Sequence, residues 1–131
     1  VIDHMGLPDA AAGIGQPGFQ ALLRLAAADH VWVKLAGADR ITRSSGRLRD
    51  AIPFMRALAA AVPQRLVWGS DWPHIGFHAR EQVRGDAVLP SRDVDQGELL
   101  EVLFEALGDS GMQRAILTEN PARLYGFSSG P

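Results

Sequence analysis

Leu66-Val67-Trp68-Gly69-Ser70-Asp71-Trp72-Pro73-His74 is the stretch whose reading decides the fold class. It runs from branched and aromatic residues into Gly-Ser-Asp and then into a Trp-Pro turn. An apolar run of this length, closed by Gly, reads as a buried strand that delivers a carboxylate at its carboxyl end. Working outward, two other segments share the pattern. Val1-Ile2-Asp3-His4 ends on an acid and an imidazole. Val31-Trp32-Val33-Lys34-Leu35-Ala36 leads through Gly37 to Asp39 and Arg40. We read strands over residues 1–4, 31–36 and 66–70.

Helical spacing fills the gaps between them. Phe19, Leu22, Leu23, Leu25 and Ala26 recur on one face before the second strand, and Ile52, Met55, Leu58, Ala59 and Val62 before the third. Pro53 suits the first turn of that second helix and Pro63 ends it. Strand, helix, strand, helix, strand predicts an α/β architecture with a parallel sheet. A long polar loop follows, about residues 73–92, and then helices. Asp95-Gln96-Gly97-Glu98 resembles a capping box ahead of residues 99–107, and Ser110-Gly111-Met112-Gln113 another ahead of residues 115–117. Asn120-Pro121 reads as an N-cap with Pro at the first helical position, and Gly126 as the closing cap. Residues 128–131 read as a frayed tail.

The bulk properties exclude several classes. The 131 residues suffice for one domain with a core. A net charge of -2 gives no electrostatic reason to expect a nucleic acid or an anionic membrane as partner. No apolar run approaches the roughly 20 residues of a membrane span. There is no Cys, so disulfides and thiol chemistry are excluded, which fits a cytoplasmic location. The chain opens inside an apolar run, without Met and without a basic leader, as expected of the C-terminal portion of a longer protein.

In α/β sheets and barrels the chemistry sits at the carboxyl ends of the strands. There the three segments bring together His4, Arg40 and the Asp71–His74 pair. These groups can exchange protons, bind anions and ligate a metal. Each also has a plain structural reading. Asp71 before Trp72-Pro73 is a turn former. His4 alone is as readily a core histidine as a ligand, and Arg40 alone a structural ion pair. His30 reads as structural, and His78 as an exposed loop residue. Trp32, Trp68 and Phe54 read as core, while Trp72 suits either core or substrate contact. Arg43, Arg47 and Arg49 read as a solvated face, with Arg40 set apart from them.

Four motifs, in order, resemble the amidohydrolase-related (amidohydrolase 2) family. Residues 69–74 resemble its last barrel strand, and Val1-Ile2-Asp3-His4-Met5-Gly6 a strand carrying a catalytic or metal-binding His. Val33-Lys34-Leu35-Ala36-Gly37 resembles the strand between them. Asn120-Pro121-Ala122-Arg123-Leu124-Tyr125-Gly126-Phe127 resembles the closing helix. The likeness is greatest to the 2-pyrone-4,6-dicarboxylate lactonase group. It implies that residues 1–127 are the C-terminal part of a (β/α)8 TIM barrel, about strands six to eight with the following helices. It implies a hydrolase, lactonase-like in the full-length parent. Its substrate would be a small carboxylate or lactone, with a homo-oligomer possible. The His-x-His pair of the family's first strand is absent from these residues, so the 131 residues alone are expected to be inactive.

The same resemblance implies roles. Asp71 would be the general base that activates water. His4 would polarise the scissile carbonyl, or join Asp71 as a ligand if the parent uses a divalent, Zn-like metal; the residues leave open whether there is one metal or none. Arg40 would clamp a substrate carboxylate with its planar fork, and His74 would add a hydrogen bond to substrate. The lactonase group carries an Arg three residues after the strand-six His, where this chain has Leu7. It carries an Asn two residues after the His matching His74, where this chain has Gly76. These departures point away from a dicarboxylate and toward a smaller or less anionic lactone, or another cyclic or acyl ester. The alternatives are a metal-dependent decarboxylase or hydratase of the same family, and a non-catalytic binding module.

Overall fold

The computed structural model describes residues 1–76, 83, 85–86 and 88–127. His78 and residues 128–131 lie outside them. Two strands, β1 (Val33–Leu35) and β2 (Leu66–Trp68), pair in parallel, with Val33 opposite Leu66 and Leu35 opposite Trp68. A parallel bridge between Ile2 and Val33 adds the first segment beside β1. The order across the sheet is therefore first segment, β1, β2, as a parallel α/β unit requires.

All three extended segments are shorter than the sequence predicts. The first is the clearest correction. Only Ile2 joins the sheet, and residues His4–Gly6 form a 3₁₀ turn. His4 and Met5 have φ of 51° and 54°, the left-handed region, which ends extended structure at once. In the third, Gly69 and Ser70 leave the ladder and Asp71 has φ 66°.

Helices α1 (Pro17–Ala26) and α3 (Ile52–Ala61) supply the connections between strands, with a single short turn α2 (Ala38–Ile41) directly after β1. Helix α3 buries Ile52, Met55, Leu58 and Ala59 of its expected stripe, and Val62, also buried, lies just past its end. Helix α1 buries Phe19, Leu22 and Ala26, but Leu25 is 53% exposed and faces away. Phe19 meets Phe54 edge to face at 4.8 Å between ring centroids. Helix α4 (Gln96–Leu107) lays Leu99, Val102, Leu103 and Ala106 on α3. The core thus fills one side of the sheet, under Val33, Leu35 and Leu66. No helix of the described residues is long and apolar enough to cross a membrane.

The C-terminal helices carry two corrections. Asp95 caps α4 as expected, accepting from the N–H groups of Gly97 and Glu98. For α5 (Ser110–Arg114), however, the cap is Asp109, which accepts from Met112 N, and Ser110 is already helical. Asn120 is no cap at all. A π turn, Ala115–Glu119, joins α5 to α6 (Asn120–Tyr125) without a break, and Asn120 has helical φ and ψ of -63° and -48°. Its buried side chain instead donates to the carbonyls of Pro63 at 2.9 Å and Leu66 at 2.7 Å. Gly126 ends α6 at φ 70°, as expected. Of the remaining expectations, Phe54 is core, and Trp32 and Trp68 are half-buried. His30 is exposed and holds no structural position, since the chain turns at the surface there. Arg43, Arg47 and Arg49 lie on a solvated face, and Arg40 is more sheltered.

Candidate active site

Past the carboxyl ends of the sheet, the chain makes three sharp departures. Among the described residues, five non-glycine residues have positive φ, and three of them are His4 (51°), Asp71 (66°) and His74 (54°). Unfavoured backbone of this kind persists only where the surroundings hold it in place, and it concentrates at functional sites. The turn at Asp71 is closed by the His74 N–H, which donates to the Asp71 carbonyl at 2.8 Å. It thus combines the turn and the presentation of the carboxylate.

The structure brings His4, Arg40, Asp71 and His74 to one place. The Arg40 Nε–H donates to Asp71 Oδ2, and both side chains are 15% exposed. The other carboxylate oxygen, Oδ1, lies 3.8 Å from His4 Nε2. Two residues that the sequence did not single out as partners complete the cluster. Arg92 forms an ion pair with Asp39 through Nη2, and the same nitrogen is 4.0 Å from Asp71 Oδ2. His74 is buried at 3% exposure, and among the described residues neither of its ring nitrogens has a hydrogen-bond partner. Asp39 adjoins Arg40 in the sequence and was visible as a strand-end acid. Arg92 follows the polar stretch that opens at Pro73, and no local pattern marks it.

A cleft of about 450 Å³ opens beside this cluster, lined by Asp3, His4, Lys34, Ser70, Asp71 and Trp72 among others. Lys34 projects into it, away from the core, and pairs with Asp3 at 2.6 Å. Hydrogen bonding from the Lys34 ammonium holds the Asp3 carboxyl below its ordinary value. Trp72 is 72% exposed at the cleft, a position suited to contact with a ligand rather than to the core. His74 sits beneath, outside the lining.

Gly37 fixes the place of His4. It follows β1 with φ 67°, and a Cβ there would stand 2.9 Å from His4 Nδ1. Both the backbone and the space require glycine. Gly37→Ala is expected to push the imidazole off Asp71 and lower turnover about 100-fold, the typical cost of a roughly 1 Å misplacement. Steady-state kinetics beside a urea melt would check it. An unchanged kcat would show that the position of His4 is immaterial.

Among the described residues, Asp39, Asp71 and His74 each offer one donor atom, all within 4.8 Å of one another. With the unbonded nitrogens of His74, this is a carboxylate and imidazole set that fits a Zn-like ion.

The amidohydrolase family model matches residues 1–127. The chain belongs to the amidohydrolase family. Among curated relatives of this family, a 4-sulfomuconolactone hydrolase from Rhizobium radiobacter is 44% identical over 96% of the chain and 39% of its own length. A 2-pyrone-4,6-dicarboxylate hydrolase from Comamonas testosteroni is 28% identical over 95% of the chain and 40% of its own length. The solved structure of a Pseudomonas putida protein, described as a 2-pyrone-4,6-dicarboxylic acid hydrolase, superposes with a TM-score of 0.71. It is 36% identical, over 98% of the chain and 43% of that structure. The chain therefore spans about 40% of the length of these amidohydrolase relatives, and its fold matches the corresponding portion of the Pseudomonas putida structure.

Proposed function

We propose that the protein carrying this chain hydrolyses a lactone, with Asp71 as the general base. The observation that supports this reading is the unequal holding of the two Asp71 oxygens. Arg40 engages Oδ2, which leaves Oδ1 toward His4 on the edge of the cleft. In the reaction, Asp71 Oδ1 takes a proton from water, and the water oxygen bonds to the lactone carbonyl carbon. The ring C–O bond then breaks. The departing alkoxide recovers the proton from Asp71, giving an open hydroxy acid. His4 polarises the carbonyl from its place 3.8 Å from Oδ1.

Asp71, Arg40 and His4 would stand at the ends of strands six to eight of the complete (β/α)8 barrel. The substrate is a small anionic lactone or related ester. The likeness to a 4-sulfomuconolactone hydrolase supports a charged lactone, and the cations Arg40, Arg92 and Lys34 supply the field for one. Arg40 then acts on the substrate anion and on Asp71 together, and His74 braces the turn beneath.

A metal-assisted course has its own support in the Asp39, Asp71 and His74 donors. Those residues would hold the ion, with His4 adjoining Asp71. A bound divalent ion would polarise the carbonyl and acidify water. Against it, each carboxylate already faces a guanidinium. The test is a panel of lactones assayed by acid release, before and after chelation. Hydrolysis that survives chelation supports the first course, and loss restored by Zn²⁺ supports the second. A panel left intact in both states rejects the lactonase reading.

A further inference from the structure

The segment that leaves the site at His74 returns to it at Arg92. The Arg92 N–H donates to the His74 carbonyl at 2.8 Å, and an antiparallel bridge joins Ile75 to Ser91. From there the Arg92 side chain reaches Asp39, whose side chain is only 7% exposed. Two carboxylates, Asp39 and Asp71, therefore occupy one small space beside His74. Arg40 faces Asp71 and Arg92 faces Asp39, with Arg92 Nη2 also 4.0 Å from Asp71 Oδ2.

We propose that Arg92 and Asp39 are a positioning pair for Asp71. Arg92 neutralises Asp39, so that Arg40 remains on Asp71 Oδ2 and keeps Oδ1 toward His4. Without the Arg92 charge, Asp39 is a sheltered anion beside a second anion. The two repel, and both compete for Arg40. The carboxylate of Asp71 then turns from its working orientation. If Asp39 loses its charge as well, the competition ends and Arg40 returns to Asp71. This inference rests on the lactonase reading for its kinetic arm and on geometry alone for its spectroscopic arm.

The experiment compares Arg92→Gln with the double variant Asp39→Asn/Arg92→Gln in the protein that carries this chain. Arg92→Gln is expected to lower kcat about 100-fold, the scale of a roughly 1 Å misplacement, with KM within about threefold. The double variant is expected to regain about tenfold or more, a coupling typical of groups in one charge network. Arg92→Lys is expected to retain more turnover than Arg92→Gln. In parallel, the NMR resonance of the Arg40 Nε–H reports its bond to Asp71. It should shift in Arg92→Gln and return in the double variant. If Arg92 merely ties the loop, the double variant loses at least as much as the single one, and that result overturns the proposal. An Arg40 resonance unmoved by Arg92→Gln also overturns it. If the wild type hydrolyses no lactone, the lactonase reading fails, and the resonance alone decides the pair.

Discussion

Asp71→Asn is expected to lower lactone turnover by about 100- to 10,000-fold, the range of general-base contributions, with little loss of folding. The amide keeps the size of the carboxylate and an oxygen that can accept from Arg40 Nε, so the turn and its Asp71–His74 backbone bond remain. What disappears is the basic oxygen near His4. Turnover measured beside a urea melt separates the two effects. Activity within about tenfold of the wild type would reject Asp71 as the base. A large loss of stability would instead assign Asp71 chiefly to the turn.

Asn120→Leu is expected to cost stability of about 2–5 kcal/mol. The reason is local: one amide donates to two carbonyls, Pro63 and Leu66, and a buried carbonyl left without its donor costs about 1–3 kcal/mol. Leu has nearly the same shape but no donor, so the loss is one of hydrogen bonds rather than packing. Arg123, which donates to Asn120 Oδ1 at 3.0 Å, would lose that anchor too. Urea denaturation of the variant would measure the difference. A change below about 1 kcal/mol would show that the carbonyls find other partners. Because Leu66 opens β2, the same substitution loosens the strand that ends near Asp71, and a fall in turnover should accompany the fall in stability.

The residues that could be read from the sequence are those whose neighbours share their role. Val33, Leu35 and Leu66 lie in apolar runs, and the α3 stripe repeats at helical spacing, so strands and helix emerge together. Asp95 and Gly126 occupy cap positions with their own local signatures. Asn120-Pro121 misleads because its cap signature is local while its bonds are to residues 63 and 66. Pro121 lacks an N–H, and the π turn just before it eases the passage of its ring through a continuous helix. The first segment misleads in the opposite way: its residues favour a strand, but left-handed backbone at His4 and Met5 turns the chain after one bridge. In the site, His4, Arg40 and Asp71 were legible because each ends an apolar run. The Asp39–Arg92 pair was not, because an ion pair formed across a loop leaves no period in the sequence.

The joined ends of the loop have an evolutionary consequence. His74 and Arg92 are tied to one another by backbone, and Ile75 meets Ser91 just outside. The two ties fix the ends of the tract between them beside the Asp71 turn. Insertions, deletions or wholesale exchange between the ties are therefore expected to leave the Asp71 turn and its His74 bond in register. For an engineer, the tract between Ile75 and Ser91 is thus an interchangeable cassette, and the four residues at its mouth are the socket to leave untouched.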